Sequence, residues 1–163
     1  MPLGVRSVLL IPLDSSLLIV TDLDGSLLDH HDYNWQAASE WLARLKQQQI
    51  PLVICSSKTA AEIIPLQKRL GIAGAPFIAE NGARVAFAGE AQIAEEPGAD
   101  YLALCATLST LQADFRFTGA PDSSDGQSAR FTALTLTEVS HCRLRDASSL
   151  TVWRDTERRH APP

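Results

Sequence analysis

Cysteine is scarce in this 163-residue chain: three residues, Cys55, Cys105 and Cys142, with no CxxC pair and no histidine at zinc-ligand spacing. That excludes a disulfide framework and a structural zinc site, and it fits reduced thiols in a cytoplasmic protein. Cys55 lies in an apolar run and is expected to be a small core residue. Positive charge is also short, 14 Lys and Arg against 19 Asp and Glu, for a net charge of −5. The chain therefore lacks the electrostatic footprint of a nucleic-acid binder. The local exception is RLRDASSLTVWRDTERRH, with Arg143, Arg145, Arg154, Arg158 and Arg159, and it reads as a solvated face or tail. No stretch reaches the roughly 20 apolar residues of a membrane span. The opening MPLGVRSVLLIPLDSSLLIV is broken by Pro12, Asp14, Ser15 and Ser16 and has no small-residue cleavage site. It reads as an extension before the fold, residues 1–16, rather than a signal peptide. Neither nucleic acid nor membrane is an expected partner.

What is present is ordinary for a globular protein, 45% hydrophobic and 20% charged residues. The length suits one domain, or one carrying a small insert. Leu17–Thr21 is short and apolar, as expected for a strand buried on both faces. Trp35, Ala38, Trp41, Leu42 and Leu45 recur at helical steps, with Asn34 as N-cap. LVIC (52–55) is a second strand, and 59–70 a helix that Pro65 should kink or restart, since proline inside a helix costs about 3 kcal/mol. Gly71 is its C-cap. PFIAENGARVAFA reads as strand, two-residue Asn81-Gly82 turn, strand. Residues 17–88 thus spell β-α-β-α-β-β, which implies parallel pairing, with ligands at the carboxyl ends of the strands. From 89 to 158 a second, smaller α/β unit follows. It comprises a helix at 101–112, a strand at FRF (115–117), a loop at 119–128, a Thr135/Glu138 capping box and a strand at 149–153. Residues 159–163 are a tail.

Two clusters carry chemistry. In LLIVTDLDGS, side chains one residue apart in extended backbone share a direction, so Asp22 and Asp24 point to one locus. Two such carboxylates are tolerable when a hard cation sits between them or one is protonated. Magnesium suits that oxygen set and keeps waters and a substrate phosphate. One carboxylate can then attack phosphorus while the other handles the leaving-group proton. Gly25 would let backbone N–H groups approach phosphate oxygens. An acidic chain-reversing turn has the same four letters. In ICSSKT (54–59), a hydroxyl between strand and helix can cap the helix or hold an anion, and Lys58 adds charge.

Together TDLDGSLLD, LVICSSKTAAEI and PFIAENGA resemble the haloacid dehalogenase superfamily, and more narrowly its mannosyl-3-phosphoglycerate phosphatase branch. The closing RDASSLTVWRDTER is similar to the last cap strand of that branch, so the match spans roughly residues 17–158. The resemblance implies a Rossmann-like α/β core of parallel strands with a small α/β cap, 89–158, inserted in it. It implies Mg2+ and a small phosphorylated substrate, a sugar-acid or similar monoester. Asp22 would be nucleophile and metal ligand, and Asp24 the general acid/base, bound to magnesium through its carbonyl. Gly25, Ser56, Ser57 and Asn81 would line the phosphate and substrate site, with cap contacts around Arg145 and Ser148.

The family pattern also needs a lysine after the cap and a later G-D-x-x-x-D. The lysines here are Lys46, Lys58 and Lys68, and no Gly-Asp dipeptide occurs. Loss of one electrostatic stabiliser typically costs about 10²–10³ in rate, so a chain truncated in this way is expected to be a very poor phosphatase. A core incomplete at its C-terminus should leave an apolar edge and face open to self-association. The alternative is an inactive fragment or a non-catalytic binding module that keeps the first half of the fold. A receiver-type phosphoacceptor domain fits poorly, because it has no place for the 88–158 insert.

Overall fold

A computed structural model describes residues 14, 16–88, 93–94, 101–119, 122–132 and 134–154. The proposed N-terminal extension up to residue 13, the 159–163 tail, Arg158 and Arg159 lie outside them. Five strands form one sheet in the order β1 (Ile19–Thr21), β2 (Leu52–Cys55), β3 (Phe77–Ala79), β4 (Arg84–Ala86) and β5 (Ile93–Ala94). The β1–β2 and β2–β3 pairs are parallel, and β3–β4 and β4–β5 antiparallel. Helices α1 (Ser39–Gln47) and α2 (Ala60–Arg69) are the crossovers. The chain is thus α/β with a mostly parallel Rossmann-like sheet, as its strand–helix alternation implies.

The register places Ile19, Leu52, Ile54, Phe77, Ala79 and Ala86 on one face. Leu42 and Leu45 of α1 and Ile63 and Leu66 of α2 pack there into a single buried cluster. The other face is open. Leu18 and Val20 are 59% and 56% exposed, and Val53, Cys55, Ile78 and Val85 are half-buried. The expectation of a strand buried on both faces is therefore corrected. The 17–21 run is apolar enough for two covered faces, but β1 sits at the sheet edge and only one of its faces is covered. Cys55 is likewise half-buried on the open face rather than in the core.

Four local expectations also change. First, α2 runs unbroken through Pro65. Its N-terminus is secured by a full Thr59/Glu62 capping box, and Ile63, Leu66 and Gln67 are buried on either side of the proline, so tertiary packing overrides the local penalty. Gly71 follows its end with φ 72, the left-handed position that favours glycine. Second, Asn34 accepts the Gln36 N–H at 2.7 Å, but it starts a short 3-10 turn (36–38) that leads into α1. Trp41 is 53% exposed, with the Arg44 guanidinium 5.2 Å over its ring. Third, the β3–β4 connection is longer than two residues. Ala79 pairs with Arg84, and Glu80 and Asn81 both take positive φ, 51° and 59°. Fourth, the 119–128 stretch is not all loop, because α4 spans Asp125–Thr132. Ser124 accepts the Gln127 N–H at 3.3 Å, and Gln127 accepts the Ser124 N–H at 3.0 Å.

The C-terminal region comprises α3 (Tyr101–Leu111), β6 (Phe117–Gly119), α4, α5 (Leu136–Cys142) and β7 (Thr151–Trp153). The antiparallel β6–β7 pair lies two residues beyond the expected FRF strand. The Thr135/Glu138 capping box starts α5 as its spacing implies. None of the α3 side chains is fully buried.

Candidate active site

The acidic pair lies where β1 ends, at the carboxyl edge of the parallel strands. Leu23, fully buried between the two aspartates, pins the segment to the core and leaves its neighbours facing outward. Asp22 is exposed and Asp24 half-buried. Gly25 holds φ 76, which lets the chain turn back so that its N–H meets the Leu28 carbonyl at 2.9 Å. That amide closes the turn, and the same positive φ is the backbone freedom by which Gly25 is expected to let N–H groups of this loop approach a phosphate.

The second cluster follows β2. Thr59, not Ser56, caps α2: its hydroxyl oxygen accepts the Glu62 N–H at 3.2 Å, and Glu62 accepts the Thr59 N–H at 2.9 Å. The capping explanation for Ser56 therefore passes to Thr59. Ser56 is buried, 4% exposed, and its hydroxyl oxygen accepts the Lys58 N–H at 3.2 Å. Ser57 and Asn81 are exposed.

Val20, Thr21, Asp22, Asp24, Cys55, Ser56, Ser57 and Asn81 line one open cleft of about 560 Å³. Five of the six residues singled out from sequence thus share a wall, and Gly25 is not among its lining residues. Sequence reasoning missed Cys55 here, although a strand over 52–55 puts it on the same face as Val53. Lys58, expected from sequence to add charge, stands beside this wall. Its ammonium lies 3.2 Å from Asp24 Oδ2 and 5.5 Å from the Tyr33 ring centroid. Arg145 and Ser148 bond to Ser57 and Glu80 instead of lining the cleft.

Asp24 Oδ1 is buried without a hydrogen-bond partner among the described residues. An orphaned carboxylate oxygen beside a second, exposed carboxylate suits a hard cation that retains waters and a phosphate oxygen. No group of three or more His, Cys, Asp or Glu that could hold a metal ion gathers among the described residues. No helix among them is long and apolar enough to cross a membrane.

A family model described as haloacid dehalogenase-like hydrolase matches residues 19–117. The chain is similar to a haloacid dehalogenase-like hydrolase from Bacteroides thetaiotaomicron at 24% identity and TM-score 0.50, covering 59% of this chain and 37% of that one. A haloacid dehalogenase-like hydrolase from B. subtilis matches at 18% identity and TM-score 0.50, covering 77% and 49%. A Thermotoga maritima protein matches at 17% identity and TM-score 0.54, covering 77% and 52%. At these identities the likeness is one of fold. The chain spans roughly a third to a half of the length of these relatives.

Proposed function

The chain belongs to the haloacid dehalogenase-like hydrolase family, and from that premise we propose that its cleft is an aspartate-based, Mg2+-dependent phosphohydrolase site. The observation that carries the reading is the meeting of Asp22, Asp24, Ser56, Ser57 and Asn81 on one cleft wall at the carboxyl ends of β1 and β2. Asp22 is the exposed carboxylate and acts as nucleophile: its oxygen bonds to phosphorus as the ester oxygen leaves. Asp24 gives that leaving oxygen a proton, then takes one from the water that attacks the aspartyl-phosphate. Ser56 and Ser57 hold the phosphoryl oxygens, and Asn81 lines the substrate side. Mg2+, held by the Asp22 carboxylate and the Asp24 carbonyl, would offset the negative charge that carboxylate and phosphate bring together. The substrate class is a phosphorylated sugar-acid or similar monoester, as in the mannosyl-3-phosphoglycerate phosphatase branch. Residues 17–88 are proposed as core and 89–158 as cap, in a cytoplasmic protein.

Isotope exchange tests this without a known substrate. Inorganic phosphate labelled with oxygen-18 should lose label to water slowly, as expected of a sequence without the later lysine and G-D-x-x-x-D, and only with Mg2+ present, and Asp22→Asn should abolish the loss. Exchange that persists in Asp22→Asn, or never exceeds buffer, removes the reading. A second reading, a non-catalytic module that binds phosphate or metal, is supported by the open sheet face and the two-carboxylate set. It predicts Mg2+-dependent phosphate binding without label loss. The open apolar face carrying Leu18 and Val20 is proposed to favour self-association.

A further inference from the structure

Glu80 is buried, 2% exposed, and its carboxylate receives a whole turn of the C-terminal region. The Asp146 N–H donates to Oε1 at 3.0 Å, and the Ala147 and Ser148 N–H groups to Oε2 at 3.1 and 2.8 Å. The Ser148 hydroxyl donates to Oε2 at 2.7 Å. That hydroxyl oxygen also accepts from Arg145 Nη1 at 2.7 Å, and the same nitrogen reaches the Ser57 carbonyl at 3.3 Å. Arg145 is 8% exposed. A buried carboxylate and a buried guanidinium are thus joined through one serine hydroxyl. Each supplies the opposite charge that makes burial of the other tolerable.

The relay ends on the cleft. The backbone on the near side grips the same loop: Glu80 N–H donates to the Lys58 carbonyl at 3.0 Å and Asn81 N–H to the Ser56 carbonyl at 3.1 Å. On the far side, the Thr59 hydroxyl donates to the His141 carbonyl at 2.9 Å. Every residue from Ser56 to Thr59 is therefore held, and two of the four are held by the 141–148 segment.

We infer that Glu80, Ser148 and Arg145 are positioning residues that set the Ser56–Lys58 loop, although none of the three lines the cleft. The claim that this matters for phosphate rests on the function proposed above. A 1 Å displacement of a group at a reacting centre can cost about a hundredfold, so a loop fixed from both sides is where such control would be exerted.

Hydrogen exchange followed peptide by peptide tests the inference on the full chain. Arg145→Met keeps the apolar stem and leaves the Glu80 anchor to the 146–148 turn in place. It should speed exchange across 54–59 at least tenfold, while 146–149 and α1 stay near wild type. Ser148→Ala, which cuts the relay at its centre, should speed both 54–59 and 146–149, and Ser148→Thr should restore both. Unchanged exchange at 54–59 in Arg145→Met and in Ser148→Ala overturns the inference, whichever of the two folds well enough to measure. The affinity for inorganic phosphate with Mg2+ should weaken tenfold in Arg145→Met. If wild type binds no phosphate but the exchange is coupled as described, the phosphohydrolase reading fails and the loop coupling stands.

Discussion

The sheet region and the C-terminal region are held together by different forces. In the first, Leu23, Ile54, Ile63 and Ala79 are fully shielded from water within one apolar cluster. Among the described residues of the second, the fully buried apolar ones are Val139 and Cys142, and no α3 side chain is fully buried. Beside the rings of Phe115 and Phe117 against Trp153, polar ties hold the second region: the Glu80 carboxylate to the 146–148 turn, Arg145 to Ser57, Arg143 to Asp125 at 3.4 Å and Arg84 to Asp146 at 3.5 Å. Apolar packing is non-directional and tolerates local rearrangement, whereas hydrogen bonds fail when one partner moves. The cleft residues stand on the packed region, and the polar ties decide how the other region meets them.

Core truncation should break the comparison most visibly. Ile63→Ala removes a fully buried side chain from the sheet cluster, and such deletions cost about 2–5 kcal/mol. Leu108→Ala in α3 removes a half-buried one and should cost under about 1.5 kcal/mol by the same area argument. Urea midpoints of the two variants check this. Equal losses would mean that the C-terminal region has a packed core of its own.

The contrast was only half visible in the sequence. A short apolar run places β2, and stripes at helical spacing place α1 and α3. The capping box at Thr135 was legible because its partners are three residues apart. The same pattern at Thr59 went unread, since Ser56 and Ser57 offered nearer hydroxyls. The acidic pair and the serines were legible because their elements end at one sheet edge. Glu80 was not. Its partners lie 66–68 positions away, and nothing in ENGA distinguishes a buried carboxylate from a turn residue. The exposure of Leu18 and Val20 was equally hidden, because an apolar run records what a strand tolerates and not what covers it.

Acid should loosen the second region before the first. Burial acts to raise the Glu80 carboxyl, but the Asp146 N–H, the Ser148 hydroxyl and the Ala147 and Ser148 amides outweigh it and hold its pKa below the ordinary 4.5. A carboxyl with a depressed folded-state pKa contributes stability above its unfolded value and loses it as pH falls through the lower folded one. The tie should therefore weaken from about pH 4.5 downward, at a cost of about 1–3 kcal/mol for the partners left unsatisfied. Exchange at 146–149 should rise across that window while α1 stays protected, and Glu80→Gln should flatten the rise. An equal response in both segments would place the acid sensitivity elsewhere, for instance at Glu138, whose carboxyl is held low by the Thr135 N–H and hydroxyl.

The smallest contrast lies between the two capping boxes. Thr59 and Thr135 make the same reciprocal bonds with a glutamate three residues on, but Thr59 is fully buried and Thr135 exposed. Loss of an N-cap threonine costs roughly 0.5–2 kcal/mol. Thr135→Ala should fall at the low end, since water can reach the freed Glu138 N–H. Thr59→Ala should fall at the high end or beyond, since it also frees the His141 carbonyl that its hydroxyl serves. Denaturant midpoints for the two variants, with Thr→Ser at each site as the conservative control, measure the difference. Serine keeps the oxygen and should recover most of the loss at both positions. If Thr59→Ala costs no more than Thr135→Ala, the bond from α2 to α5 contributes nothing. The two regions would then be joined through Glu80 and Arg145 rather than along the whole 56–59 loop.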